Sequence, residues 1–277
     1  MTKNWTTVRD SNHYLLSDSP LESVDKLPAG AYNIQCGMMG TQAIKVALKD
    51  EKLIVFDDGP AKEIIQEIQM FWEAKDKYTK MDLPYRRGVL MHGVPGTGKS
   101  GIVRIICDSV IADDGLVIIV KDASDLHVWL PILNKQEIDR NVVVVLEDIE
   151  QIVRYDEQSF LQILDGIDNY RPGLVFIGTT NHIEEMNSRI YRPSRFDLLI
   201  KVQEPSEEIR IQYVKALCER YNSEYRADIV EASAGMSFAH VKEMVVSSLL
   251  YEKPLVELKA RLEAHGNEAD DDTSDDE

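Results

Sequence analysis

The stretch Gly93-Val94-Pro95-Gly96-Thr97-Gly98-Lys99-Ser100 decides how this chain folds. It fits the pattern G-x-x-x-x-G-K-[ST] at every fixed position. The apolar run before it, Arg87 to His92, reads as a short buried strand, and the run from Gly101 to Cys107 reads as a helix. Strand, glycine loop and helix together form a phosphate loop. Glycines let backbone N–H groups close around phosphate oxygens, and the helix N-terminus adds the positive end of its dipole. The loop set is Gly93, Val94, Pro95, Gly96, Thr97, Gly98, Lys99, Ser100 and Gly101. Lys99 is placed to reach the β- and γ-phosphates, and Ser100 to offer its hydroxyl to Mg²⁺, so ATP with Mg²⁺ is the expected ligand pair.

Working outward, strands are expected at 88–92, 116–120, 141–147, 173–178 and 198–202, with helices at 98–110, 124–136, 157–167 and 184–190. The near-continuous apolar run Val142-Val143-Val144-Val145-Leu146 suits a parallel strand covered on both faces. It ends in Glu147-Asp148-Ile149-Glu150, a hydrophobic strand followed by acids, and carboxylates there lie beside bound phosphates. Glu147 takes the metal role, and Asp148 the role of orienting and deprotonating the attacking water. The next apolar run, Gly173 to Gly178, leads into Thr179-Thr180-Asn181-His182. Asn181 is the polar side chain expected to touch the γ-phosphate and the water, while His182 reads as structural.

The fold class that follows is α/β: a P-loop NTPase with a parallel sheet flanked by helices, then a small helical lid domain, with a small β-containing N-terminal module in front. The expected boundaries are 1–58 for the N-terminal module, 59–82 for a linker helix, 83–204 for the nucleotide-binding domain, 205–265 for the helical lid and 266–277 for a disordered acidic tail. Residues 1–28 show turn chemistry without a period. Ala43 to Leu48 and Leu53 to Phe56 read as the two strands of a β-hairpin. Ile64, Ile68, Phe71 and Trp72 fall at helical steps, the stripe of a helix packed on the domain behind it.

The bulk numbers set limits. The 277 residues, 44% hydrophobic and 29% charged, can bury a sizeable core. The net charge is −17. Seven acids in the tail (Glu268, Asp270, Asp271, Asp272, Asp275, Asp276 and Glu277) carry part of it, yet the body is acidic too. That balance argues against non-specific nucleic-acid binding. Cys36, Cys107 and Cys218 are widely spaced, with neither zinc spacing nor a disulfide framework. No run is long enough to cross a bilayer. A cytoplasmic protein without membrane insertion is the simplest expectation.

Four segments then carry a resemblance: residues 93–100, Glu147-Asp148, Thr179-Thr180-Asn181 and Arg192-Pro193-Ser194-Arg195-Phe196-Asp197. Together they are similar to the AAA+ ATPases, in the AAA branch with its second region of homology, over about residues 83–250. Tyr85 to Gly88, the Glu-Asp order and Thr180-Asn181-His182 most resemble the branch that contains the mitochondrial Rieske-protein translocase, whose membrane-spanning part finds no counterpart here. The resemblance implies that Asn181 is sensor 1. It implies that Arg192 and Arg195 reach into a neighbouring subunit's ATP site, with Arg195 the favoured finger. It also implies a homo-oligomeric ring, usually a hexamer. The sequence departs from the family in having no sensor-2 arginine on the helix after Gly235-Met236-Ser237. Trp129-Leu130 stands where a pore loop would, without the usual glycine, and Trp129 reads more readily as core.

The function expected is that of a ring ATPase that remodels or disassembles an unidentified protein partner. The alternatives are a nucleic-acid-directed motor or loader of the same fold, or an ATP-gated assembly scaffold with little turnover.

Overall fold

The structure, a computed structural model, describes residues 4–8, 10–17, 23–37, 40–48, 53–56, 59–165 and 171–271. The chain divides into two compact units. Met1–Leu53, Asp58–Gly93 and Lys99–Lys201 form the first; Ile54–Asp57, Val94–Gly98 and Val202–Glu277 form the second.

The first unit is built on one sheet. Its parallel part comprises β6 (Arg86–His92), β7 (Leu116–Ile119), β8 (Val142–Leu146), β9 (Leu174–Thr180) and β10 (Leu198–Lys201). They lie in the order β10-β6-β9-β8-β7. β8 and β9 are buried at every residue, which is what an unbroken Val/Ile/Leu run achieves only with cover on both faces. That cover comes from α1 (Pro60–Glu73), α3 (Lys99–Ala112), α4 (Ala123–Gln136) and α5 (Ile149–Asp165). On α1 the buried stripe is Ala61, Ile64, Ile68 and Phe71. Each large side chain of that stripe stabilises the unit by about 1.5–3 kcal/mol. The short α2 (Lys75–Lys80) leads back to β6, and Phe71, Tyr78 and Tyr85 pack ring on ring beside it.

The N-terminal strands join the same sheet. β4 (Gly30–Gly37) runs parallel to β7, and beyond it lie β5 (Gly40–Val46), β2 (Asp10–Ser17), β1 (Asn4–Val8) and β3 (Ser23–Val24), all antiparallel. The N-terminal strands and the nucleotide-binding region therefore share one hydrogen-bonded sheet.

Several local expectations need correction. Ala43–Val46 does not pair with residues 53–56, which are irregular; its partners are β4 and β2. The hairpin is β4–β5, with Gly40 at φ +95° just past its turn. Asn4–Val8 and Asp10–Ser17, read as turns, form β1 and β2, because their pairing with each other and that of β2 with the distant β5 outweigh a weak local pattern. The expected helix at 184–190 is only a 3-10 turn, Ile183–Glu185; the Asn187 carboxamide oxygen accepts the Arg189 N–H at 3.0 Å, an Asx turn that competes with helix. α5 starts at Ile149 rather than 157 and kinks at Asp156 (φ −157°), whose carboxylate caps the following turn through Ser159 N–H at 3.0 Å. Trp129 is fully buried in the main core, so it does not line a pore.

The second unit is helical: α6 (Glu207–Arg220), α7 (Ala227–Ala232), α8 (Phe238–Leu250) and α9 (Leu255–Asp271). Val214, Leu217, Val241, Met244 and Val245 centre its core. α9 is helical as far as Asp271, so residues 266–271 of the expected tail are helix, and 272–277 lie outside the described residues. Among the described residues, no helix is long and apolar enough to cross a membrane.

Candidate nucleotide site

β6 ends at His92 and α3 begins at Lys99, so six residues turn the chain from strand to helix. Gly96 (φ +79°) and Gly98 (φ +96°) take backbone conformations that other residues rarely adopt. Gly96 also has no room for a side chain: a Cβ there would sit 2.8 Å from Ser237 Oγ and 3.0 Å from Ala239 Cβ. The start of α8 thus lies against the loop tip, and Ala239 N–H donates to the Gly96 carbonyl at 3.3 Å. Inside the loop, Thr97 is buried and donates from Oγ1 to the Val94 carbonyl at 2.9 Å.

Lys99 is 6% exposed and donates from Nζ to the Gly93 carbonyl at 2.5 Å. Burial pushes its ammonium below the usual lysine range, opposed by the charges of Asp148 and then Glu150. The lysine that opens α3 and the acids that follow β8 therefore face a common space. Ser100 is exposed beside it.

Asp148 sits at φ +48°, in the left-handed region that aspartate tolerates better than glutamate. The Glu147-Asp148 order puts the shorter acid at that position. Its N–H donates to Thr179 Oγ1 at 3.2 Å, and its Oδ1 accepts from Asn181 Nδ2 at 3.4 Å. Asn181 is held again by its own N–H, which donates to Glu150 Oε1 at 3.4 Å. The other oxygen, Glu150 Oε2, is buried with no hydrogen-bond partner among the described residues. Glu147 is exposed, and its charge is felt at Cys107 on α3 rather than at Lys99.

The sequence reading left two groups without roles. Glu150 is one; its signal was its place three residues after Glu147, in the first turn of α5. The other is an aromatic trio. Phe56 stacks on Phe238 with ring centroids 5.5 Å apart, and Tyr213 meets both edge-on. Phe238 lies against the loop, 3.3 Å from where a Cβ on Gly98 would be. Local pattern could not reveal three rings drawn from positions 56, 213 and 238.

Two further residues lie nearby. His92, at the end of β6, has its pKa lowered, chiefly by burial and then by Lys201. His182 Nδ1 lies 3.5 Å from a carboxylate oxygen of both Glu184 and Glu185, so it belongs to a surface cluster of acids.

Arg192 and Arg195 are elsewhere. Their turn is joined to the opposite end of β6, where Gly88 N–H donates to Asp197 Oδ2 at 3.0 Å and Asp197 N–H donates to the Gly88 carbonyl at 2.8 Å. The structure therefore brings together Lys99, Asp148 and Asn181, with Ser100 next to Lys99 in the chain, and holds the arginine turn at the other end of β6.

A glycine loop between a parallel strand and its helix, with carboxylates at the end of a second strand and an asparagine after a third, defines a P-loop nucleotide-binding domain. Residues 89–204 match the family described as "ATPase family associated with various cellular activities (AAA)". Over this domain the chain is similar to that family. Human mitochondrial chaperone BCS1 is 30% identical over 164 residues, 52% of this chain and 38% of that protein. The proteasome-activating nucleotidase of Methanosarcina mazei is 26% identical over 235 residues, 74% of this chain and 56% of that protein. The rat ATP-dependent zinc metalloprotease YME1L1 is 22% identical over 212 residues, 69% of this chain and 29% of that protein. The chain thus spans only about a third to a half of the length of these relatives.

Proposed function

We propose that this protein hydrolyses Mg²⁺-ATP as an oligomeric ring, most simply a hexamer, and uses the cycle to remodel a protein partner. The observation that carries the hydrolytic part is the convergence of Lys99, Asp148 and Asn181 at one end of β6, β8 and β9. The donor set fits magnesium: the hydroxyl of Ser100 and the carboxylate of Glu147, both exposed, are oxygen ligands of the kind that hold this ion together with substrate phosphates. Ser100 and Glu147 would hold it. When bound, the ion neutralises charge developing on the β- and γ-oxygens.

The chain's own groups do the rest. Lys99 leaves the Gly93 carbonyl for the phosphates. Asp148 takes a proton from the attacking water, while Asn181, already held against Asp148, orients that water. Ring assembly and a protein substrate are supported by the kinship with a chaperone, a proteasome-activating nucleotidase and a metalloprotease. The net charge of −17 speaks for a protein partner over a nucleic acid.

The test is ATP turnover and equilibrium nucleotide binding by wild type, Lys99→Ala and Asp148→Asn. Lys99→Ala should lose binding. Asp148→Asn should bind like wild type and turn over about 10²–10⁴-fold more slowly. Normal turnover by Asp148→Asn would remove Asp148 from the role of base.

A further inference from the structure

α4 is fastened to the N-terminal segment at both of its ends. At its C-terminal end, Glu137 is fully buried, and its Oε1 accepts the Leu27 N–H at 2.8 Å. Arg140, three residues on, donates from Nη1 to the Leu27 carbonyl. Both backbone polar groups of Leu27 are thus held by side chains 110 and 113 positions away. At the N-terminal end of α4, Asp125 Oδ1 accepts the Cys36 N–H at 2.9 Å. Between these two clips β4 runs along β7 in parallel register, from Gly30 opposite Leu116 to Asn33 opposite Ile119. Leu27, Tyr32 and Ile34 share the main core with Leu126, Trp129 and Leu130 of α4.

The charges behind Leu27 make the fastening hard to undo. Glu137 Oε2 meets Arg140 Nη1 at 3.4 Å. Arg140 is tied further to Asp114, whose carbonyl and Oδ1 accept from its Nε and Nη2 at 2.6 and 2.8 Å. Arg171, 2% exposed, donates from Nη2 to the carbonyls of Glu137 and Arg140 at 2.8 and 2.6 Å, which fixes the backbone that carries both clips. If Leu27 withdrew, the Glu137 carboxylate would stay in the core with a single long contact, to Arg140, among the described residues. A buried charge that loses a partner is strongly destabilising, and the socket of the Leu27 side chain would be left empty as well.

We propose that residues 27–36 are a strap that makes the N-terminal strands part of the cooperative unit of the nucleotide-binding domain, rather than a module that opens by itself. Whatever binds the folded unit then stabilises all of it. A nucleotide at the phosphate loop protects β4, and a protein seated on the N-terminal strands protects the nucleotide-binding domain. The nucleotide half of this statement rests on the ATPase reading above; the strap itself does not.

Native-state hydrogen exchange of the full chain tests it. Peptides from β4 and β8 are followed across a series of low denaturant concentrations, with and without Mg²⁺-ADP. In wild type, β4 and β8 should open at one common free energy. Mg²⁺-ADP at about 100 times its Kd should slow exchange about 10²-fold in both strands. Glu137→Ala should speed exchange about 10²- to 10³-fold in both, the effect of removing one partner of a buried pair. Glu137→Gln keeps an acceptor for the Leu27 N–H and should do less. β4 opening at a lower free energy than β8 would overturn the strap. So would Mg²⁺-ADP protection, or faster exchange in Glu137→Ala, confined to one of the two strands. Should Glu137→Ala fail to fold, the wild-type measurements carry the test. Protection by Mg²⁺-ADP in neither strand would count against the nucleotide reading alone, and the opening free energies would still decide the strap.

Discussion

The two ends of β6 are built differently. At one end the chain itself, in eight consecutive residues, makes a loop shaped for phosphate, and its glycines and lysine are neighbours in sequence. At the other end, Gly88 meets Asp197, Arg86 meets Ser194, and Arg195 meets Asp165, contacts that span 109, 108 and 30 positions. A local loop can bind a ligand without help. A turn held by distant partners takes its shape from the rest of the fold, with one arginine in a bidentate pair and another exposed.

Two glycines, one at each end, give the sharpest way to break this comparison. Gly88→Ala forces the turn off the strand and should cost about 3 kcal/mol of stability, the upper range for inserting a group into a packed site. Nucleotide affinity of the folded fraction should stay near wild type. Thermal melting and nucleotide titration check both halves of that expectation. Gly96→Ala should do the reverse. Its strained backbone and the clash with Ser237 should weaken nucleotide binding by roughly 10- to 100-fold, for a cost of about 1–3 kcal/mol, with a smaller change in melting. Equal effects of the two changes on binding would erase the distinction between the ends.

A smaller effect is expected at Glu150. Glu150→Ala removes the acceptor for the Asn181 N–H and should lower kcat by about tenfold at unchanged KM, the scale of one hydrogen bond to a charged group. Steady-state kinetics decide it; a change confined to KM would place Glu150 in binding instead.

The smallest effect is a pH dependence. Hydrogen bonding to Arg195, above all, holds the Asp165 carboxyl below the usual carboxylate range. Its stabilisation is present above the unfolded aspartate value of about 3.9 and is lost as pH falls through the lower folded value. The contribution is under about 1 kcal/mol for a partly buried pair that water still reaches. Acid melting curves of wild type and Asp165→Asn should therefore converge below about pH 4 and separate above it. A constant offset across that range would contradict the pairing.

What the sequence made legible follows the same division. The phosphate loop, the acids after Val142–Leu146 and the asparagine after β9 are local signals on buried parallel strands, and the structure carries each strand at nearly its expected place. β1 and β2 were not legible: their own pattern is weak, and β2 is held on its other side by β5, with His13 opposite Ile44. The 53–56 segment looked like a strand because it is apolar, but Phe56 is used in a ring stack with Phe238 instead. The pairing of Arg195 with Asp165 was not legible either, because Asp165 stands 30 positions away and nothing local marks it as a partner.

The most direct measurement is ATP turnover per subunit as a function of protein concentration, with saturating Mg²⁺-ATP. If the arginine turn serves another copy, specific activity rises with concentration and levels off once assembly is complete. A specific activity that is the same at every concentration, down to where the protein sediments as a monomer, would show a self-contained site and contradict the account.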